Sequence, residues 1–449
     1  MIELKKPQKE AISKISEFID KGHPQSWFTL IGKAGTGKTT TLVELIGKYN
    51  KTKKIVVSAI SHKAKNVLRD KCFSFMKSNR GMNTVDFCSV ASMLGMKFDE
   101  VSGEFIYEKI PYIIRPIDRA DIIIVDECSM IDENTLSLIL ENKKHNAKVI
   151  FAGDMAQLQP IRNTDCDLES PTFNTDNEYR LFERLRQGDE SPILPFSDFY
   201  WNTIMGNDDL VHNMPRDSIF NNNGNIHFCS RVEAIDSVIG VFKKSIDTND
   251  SNLIKVVCYK NDSRIKINEY IRRSIYGDSV NEFEINDFII MMNNFSLDEY
   301  NVIENSMEFQ ITDIYEFDDY IEGEKIKVYN ITVDYKIGRD NVTIPVVAKE
   351  SMSDFNRIVS NLFNEAKLCA PRSKARTMLF KKAYSLKNKF ADISYAYCLT
   401  SHKAQGSTYK CVLVYESDIM SVIPISLKTK YRSMYTAITR GSQICIIIN

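Results

Sequence analysis

The segment Gly32-Lys33-Ala34-Gly35-Thr36-Gly37-Lys38-Thr39 fits the pattern G-x-x-x-x-G-K-[ST]. Its glycines let backbone N–H groups wrap phosphate oxygens, and a helix that follows adds favourable potential at its N-terminus. Lys38 suits the β- and γ-phosphates of a nucleoside triphosphate, and the Thr39 hydroxyl suits Mg2+. A second constellation, Asp126-Glu127, closes the apolar run Ile122–Val125. Carboxylates at the carboxyl end of a buried parallel strand face the ligand crevice. There Asp126 would hold Mg2+ and Glu127 would polarise an attacking water. A third, Gly153-Asp154-Met155-Ala156-Gln157-Leu158-Gln159-Pro160, follows the run Val149–Ala152 and makes Gln157 a candidate γ-phosphate contact.

These residues need strands that end beside one another. The runs Trp27–Ile31, Ile55–Ala59, Ile122–Val125 and Val149–Ala152 are continuously apolar and alternate with helical stretches such as Glu10–Ile19 and Thr39–Tyr49. That pattern predicts a parallel sheet covered on both faces. It restarts with the run Leu253–Tyr259 and a helix over Ser263–Tyr276, and is completed by Tyr395–Leu399, Val412–Tyr415 and Ile444–Ile448. Between these lies a stretch of short strands and turns, about 279–350, which reads as a β-barrel-like insertion. A basic helical segment follows, about 351–390. In the first half, residues 96–107 read as a hairpin around Ser102-Gly103, with aromatics at Phe98, Phe105 and Tyr107.

The 449 residues are 43% hydrophobic and 26% charged, which excludes wholesale disorder and repetitive scaffolds and predicts two to four domains. Net charge is −1, so any nucleic-acid site must be a local basic track. The run Arg372–Lys389 is either such a track or a solvated helical face, and Trp201 either stacks on a base or packs in a core. No stretch has the ~20 uncharged apolar residues needed to span a bilayer, and Met1–Pro7 lacks a signal-peptide apolar region. The expectation is a cytoplasmic protein (host cytoplasm if phage-encoded) whose ten scattered cysteines stay reduced.

Taken in order, the motifs resemble those of superfamily 1B (RecD-like) helicases, and most closely the Dda-type helicases of tailed phages. The resemblance runs along nearly the whole chain. Gln8 falls at the family's adenine-reading position, and Gly32–Thr40 is motif I, in which Gly32, Ala34, Gly35, Thr36, Gly37, Lys38, Thr39 and Thr40 line the nucleotide. Ser58–Ala64 is similar to motif Ia, Asp126–Met130 to motif II, and Gly153–Ile161 to motif III. Leu181–Arg186 resembles motif IV, with Arg186 at the arginine-finger place. Leu399–Ser407 resembles motif V, including Gly406 beside the nucleotide, and Tyr435–Gly441 resembles motif VI, with Arg440 as the second finger. The sequence departs from the family at Cys88–Leu94, which lacks the histidine of T-x-H, and at Ile60, where proline is common.

The resemblance implies an α/β fold of two RecA-like P-loop domains. A β-hairpin pin interrupts the first and an SH3-like insertion the second. Expected bounds are 1–86 and 112–187 for domain 1A, 87–111 for pin 1B, 188–278 and 392–449 for domain 2A, and 279–391 for insertion 2B. Ser61, His62 and Lys63 in one half, and Thr400, Ser401, His402 and Lys403 in the other, would grip single-stranded DNA through phosphates and stacking, with Phe98 at the fork. The implied activity is that of a monomeric ATP- and Mg2+-dependent DNA helicase moving 5′→3′. It would act on single strands and forks, with single-strand-binding or replication proteins as candidate partners. An RNA or RNA–DNA helicase, or a nucleotide-switched clamp that does not unwind, are the alternative readings.

Overall fold

The computed structural model describes residues 4–448 except 24–25, 61, 77–84, 100–103, 108–113, 161–168, 184–190, 207–217, 222–223, 298–301, 336–340 and 424. Two six-stranded sheets organise the chain. In the first, the strands run Val85–Ser89, Ile55–Ala59, Ile122–Asp126, Lys148–Gly153, Trp27–Gly32 and Glu178–Leu181 across the sheet, all parallel.

The strands are apolar throughout because both faces are buried. Ile122 and Ile124 point into one core with Leu42, Ile46 and Leu68, whereas Ile123 and Val125 point into another with Met93, Ile117 and Ile139. Full burial of one such side chain contributes about 1.5–3 kcal/mol, so the alternation fixes both register and layer order. Helices Lys6–Lys21, Lys38–Tyr49 and His62–Met76 carry residues of the first core, and Glu133–Asn142 carries residues of the second. Asp132 caps the last of these, its carboxylate accepting from Thr135 N at 2.8 Å.

The second sheet has strands Cys398–Thr400, Ile254–Cys258, Tyr409–Tyr415, Gly441–Ile448, Gly224–Cys229 and Ile219–Asn221, the last pair antiparallel and the others parallel. Helices Ile193–Ile204, Arg231–Asp247, Asn261–Tyr276 and Leu427–Ile438 contribute to one large core around it.

Among the described residues three smaller sheets interrupt these lobes, one of them the two-stranded pair Phe295–Ser296 and Val302–Ile303. Lys97–Asp99 pairs antiparallel with Glu104–Ile106, the expected hairpin. A five-stranded antiparallel sheet is built from Asn341–Val347, Glu324–Asp334, Glu308–Ile321, Phe288–Met291 and Ile393–Tyr395. Its two edges approach each other where Ala391 N donates to Pro345 O at 2.8 Å. Helices Met352–Leu368 and Lys374–Lys387 follow it. Among the described residues no helix is long and apolar enough to cross a membrane.

Candidate nucleotide and strand site

Three strands of the first sheet deliver the three constellations to one edge. Trp27–Gly32 ends in the glycine-rich loop, Ile122–Asp126 in Asp126-Glu127, and Lys148–Gly153 in Asp154–Gln157. Gly35 and Gly37 have φ of 85° and 83°, the left-handed region that glycine enters without a side-chain penalty. At Gly32 a Cβ would lie 2.5 Å from Thr36 Oγ1, so a larger residue would push that side chain out of the loop. Lys38 folds back onto the loop, its ammonium donating to Gly32 O (2.6 Å) and Lys33 O (3.1 Å). Gln8 is buried; its Nε2 donates to Gly37 O at 3.4 Å while its Oε1 accepts from Lys5 N, so it ties the first helix to the loop. Thr39 and Thr40 are half-buried on the first turn of the following helix.

Asp126 is buried, and Glu127 N donates to its Oδ1 at 2.9 Å. Burial first, then the Glu127 charge, pushes the Asp126 carboxyl up to about 6. A buried carboxylate facing the Lys38 charge is an oxygen donor of the kind a hard divalent cation prefers. Glu127 holds φ of 53°, a strained conformation for a non-glycine residue. The strain aims its side chain across the cleft, where Gln405 Nε2 lies 3.5 Å from Glu127 Oε2 and 3.2 Å from Gln157 Oε1. With its amide turned over, Gln157 instead donates to Glu127 at 2.8 Å and accepts from Arg440 Nη2 at 3.3 Å. Arg440 is buried and oriented by Thr436 O (2.9 Å), Ser407 O (3.1 Å) and Thr439 Oγ1 (3.1 Å). Glu127 and Gln157 from one lobe thus meet Gln405 and Arg440 from the other. Gly406, with φ of 77°, makes the turn that follows Gln405.

Further cross-lobe contacts bring in Tyr435, Arg432, Lys33 and Asp198, to which the sequence assigns no individual role. Ala34 N donates to Tyr435 Oη at 3.1 Å, and Tyr435 in turn donates to Asp154 Oδ2 at 2.7 Å. Buried Arg432 donates to the carbonyls of Met155 and, at 3.2 Å, Gln157. Lys33 reaches Asp198 Oδ1 at 2.6 Å and lies 4.1 Å above the Trp201 ring. Trp201 therefore packs on the second-lobe core with a loop lysine over it. Tyr435 lies inside the segment that resembles motif VI, which is its signal in the sequence; nothing local to the chain marks Lys33 or Asp198 as partners.

On the strand side, Thr400 caps its short helix by accepting from Lys403 N at 3.4 Å. Ser401 turns inward, its hydroxyl bonded to Cys258 O (3.1 Å) and Ser433 Oγ (2.8 Å). This hydroxyl is committed to holding the helix on the sheet, in contrast to the expected surface role. His402 packs edge-on to Tyr259, ring centroids 5.8 Å apart, and burial pushes its pKa down. Lys403 donates to Met292 O and Ser306 Oγ, both at 3.3 Å, and to Asn305; burial, then Arg264, brings its pKa down to about 8. His62 and Lys63 open the helix His62–Met76, and Phe98 sits mid-strand opposite Phe105. Their side chains, and the residues Ser61 and Arg186, lie outside the described residues.

The AAA domain family model matches residues 3–193, and the UvrD-like helicase C-terminal domain model matches residues 395–448. An uncharacterised protein of Acanthamoeba polyphaga mimivirus is 25% identical, covering 97% of this chain and 98% of its own. The ATP-dependent DNA helicase dda of Enterobacteria phage T4 is 22% identical, covering 98% of each. The two models and the full-length likeness to Dda together support a superfamily 1B helicase related to Dda. Among solved structures, the Pif1 helicase from Bacteroides in complex with ADP-AlF3 and single-stranded DNA shares the fold of this helicase. Its TM-score is 0.52 at 16% identity, over 97% of this chain and 91% of that one. The helicase therefore carries the nucleotide-binding lobe and the C-terminal lobe of an ATP-dependent nucleic-acid motor.

Proposed function

We propose that this protein is an ATP- and Mg2+-dependent DNA helicase that translocates 5′→3′ on single-stranded DNA and unwinds duplex ahead of it. The observation that carries the reading is the meeting of Glu127 and Gln157 with Gln405 and Arg440 across one cleft beside the Lys38 loop. Phosphoryl transfer is mostly positioning and charge stabilisation. In this reading the loop amides and Lys38 bind the phosphates, and Thr39 and Asp126 hold Mg2+, which neutralises phosphate charge when bound. Glu127 takes the proton of the attacking water. Arg440, with Arg186 as its partner, stabilises charge developing on the γ-phosphate. Because Arg440 is asked to act from the far side of the cleft, and Arg186 from the hinge at the end of 1A, triphosphate favours closure and hydrolysis releases it.

The lobes are assigned as 1A (1–86 and 112–187) and 2A (188–278 and 392–449), with the pin over 87–111 and the β-rich insertion over 279–391. A strand lying across both lobes, held near His62 and Lys63 and near His402 and Lys403, is then gripped alternately. The DNA preference and the polarity follow the kinship with Dda, whose T4 member is a DNA helicase by name. The deciding experiment is strand displacement on duplexes with a single overhang. Unwinding with a 5′ overhang is expected. Unwinding with a 3′ overhang alone, or with neither, overturns the proposal.

A further inference from the structure

Lys65 lies one turn into the helix that follows strand Ile55–Ala59, and its ammonium, only 5% exposed, pairs with Glu304. Lys403 lies on the helix that follows strand Cys398–Thr400 of the other lobe and is held by Asn305 and Ser306. Glu304, Asn305 and Ser306 are consecutive. One turn, at the foot of the small hairpin Phe295–Ser296/Val302–Ile303, therefore takes a cation from each lobe's grip element. The groups it offers are a carboxylate, an amide oxygen and a hydroxyl. A strand backbone offers the same lysines anionic phosphate oxygens.

We propose that the Glu304–Ser306 turn stands in for the strand backbone when no strand is bound, and that an entering single strand displaces it. Lys65 is then a phosphate-contacting residue alongside Lys403. This rests on the reading of the chain as a single-strand motor. Burial of Lys65 gives the exchange its logic, because a buried lysine left without a counter-charge is strongly destabilising. Passing from carboxylate to phosphate keeps it compensated throughout. Ser306 holds φ of 66°, so the turn is strained while Lys403 binds it. The turn also ties the grip of one lobe to the grip of the other in the resting enzyme, and strand entry frees them to move separately.

The test uses the full chain and a fluorescein-labelled oligo-dT. Glu304→Gln is expected to bind dT roughly threefold or more tighter than wild type, with half-maximal stimulation of ATPase at correspondingly lower dT. Lys65→Ala is expected to bind more weakly, with a log–log salt slope shallower by about 0.7, the share of one single-strand phosphate contact. In the Lys65→Ala background, Glu304→Gln is expected to change nothing. Unchanged or weaker binding by Glu304→Gln, or an undiminished effect without Lys65, overturns the proposal and leaves the turn a plain strut. Should Glu304→Gln fail to fold, the double variant Asn305→Ala, Ser306→Ala releases Lys403 while Lys65 stays paired. It is expected to tighten binding, and failure to do so overturns the proposal equally. Wild-type protein that ignores dT overturns the motor reading itself, and with it this one. Wild type that binds dT while the variants do not tighten overturns this one alone.

Discussion

Lys33 sits inside the phosphate loop, yet its side chain belongs to the other lobe. Its partners Asp198 and Trp201 lie on helix Ile193–Ile204, which Ile193, Phe196, Phe199 and Tyr200 anchor in the second-lobe core. Replacing Lys33 by Met keeps the aliphatic stem and the loop amides but removes the charge. The ion pair at 2.6 Å has side-chain exposures of 15% and 37%, so solvent screens it and its share is about 0.5–1 kcal/mol. The contact 4.1 Å above the indole adds about 0.5–1 kcal/mol. Together these make about 1–2 kcal/mol of docking between loop and helix, or roughly 5- to 30-fold in the ratio of docked to undocked lobes. Single-molecule energy transfer between dyes at Lys21→Cys and Lys243→Cys, both exposed positions on different lobes, reads that ratio without nucleotide. Lys33→Met is expected to shift the population toward wider separation. Asp198→Asn, which keeps the indole contact, is expected to shift it less. Identical distributions for Lys33→Met and wild type would refute the reasoning.

Lys38→Ala should abolish DNA-stimulated ATP hydrolysis in a phosphate-release assay, and surviving turnover would remove the loop from the chemistry. Phe98→Ala is expected to impair strand displacement while sparing DNA-stimulated ATPase, and equal loss of both would deny it a wedge role. Lys403 supplies a pH dependence. With its folded pKa brought down to about 8, the folded state gives up this proton as pH rises above 8 while the unfolded chain still holds it. The lysine's cost to stability is therefore full below that pH and relieved above it. A phosphate contact needs the charged form, so single-strand affinity should fall as pH climbs from 7 to 9, and binding near pH 8 should take up protons. Calorimetric binding heats that do not vary between buffers of different ionisation enthalpy would contradict this.

The nucleotide half of the site was legible because its chemistry is local. The loop, Asp126-Glu127 and Gln157 each follow a continuous apolar run, and such runs announce buried parallel strands. The strands the reading missed lack that signature. Val85-Asp86-Phe87-Cys88-Ser89 lies at one sheet edge and Glu178–Leu181 at the other, where half-exposed positions break the apolar pattern. In the insertion, where the sequence predicts short strands, Glu308–Ile321 is long, and its outer half mostly mixes exposed and half-buried residues, which hides its extent. Contacts across the cleft were legible only through the resemblance to motif VI, which pointed to Arg440, and not through any local pattern. Ala34 and Tyr435 are 401 residues apart, and no spacing rule joins them. Ser401 shows the opposite failure: its motif reads as a strand grip, but the direction of one hydroxyl depends on how Ser433 packs beside it.

How the β-rich insertion is fastened decides which lobe it follows. Toward the second lobe it is held by buried charges on rigid elements. Asp287, fully buried, accepts from Arg272 at 2.9 Å and from Tyr397 Oη at 2.7 Å, and Lys255 pairs with Glu308 at 2.7 Å with both side chains buried. Gln310 Nε2 adds a bond to Ile246 O at 2.7 Å. Removing one partner of such a pair costs about 3–5 kcal/mol, and these pairs join strands and a helix that have no slack. Toward the first lobe, its ion pair to Lys65 comes from a turn between a two-residue strand and the sheet, a far softer mount. Any change in the separation of the lobes must therefore be absorbed where they touch; beside the Arg432 and Gln405 contacts, three such joints are the Glu304–Ser306 turn, the Lys33 clasp and the Tyr435 bridge. Two of these joints end on the phosphate loop and the third on the strand grip. Under the proposed motor reading, strain that nucleotide introduces at the loop joints is delivered through the same lobes to the turn that holds Lys65 and Lys403, which is the coupling that reading requires.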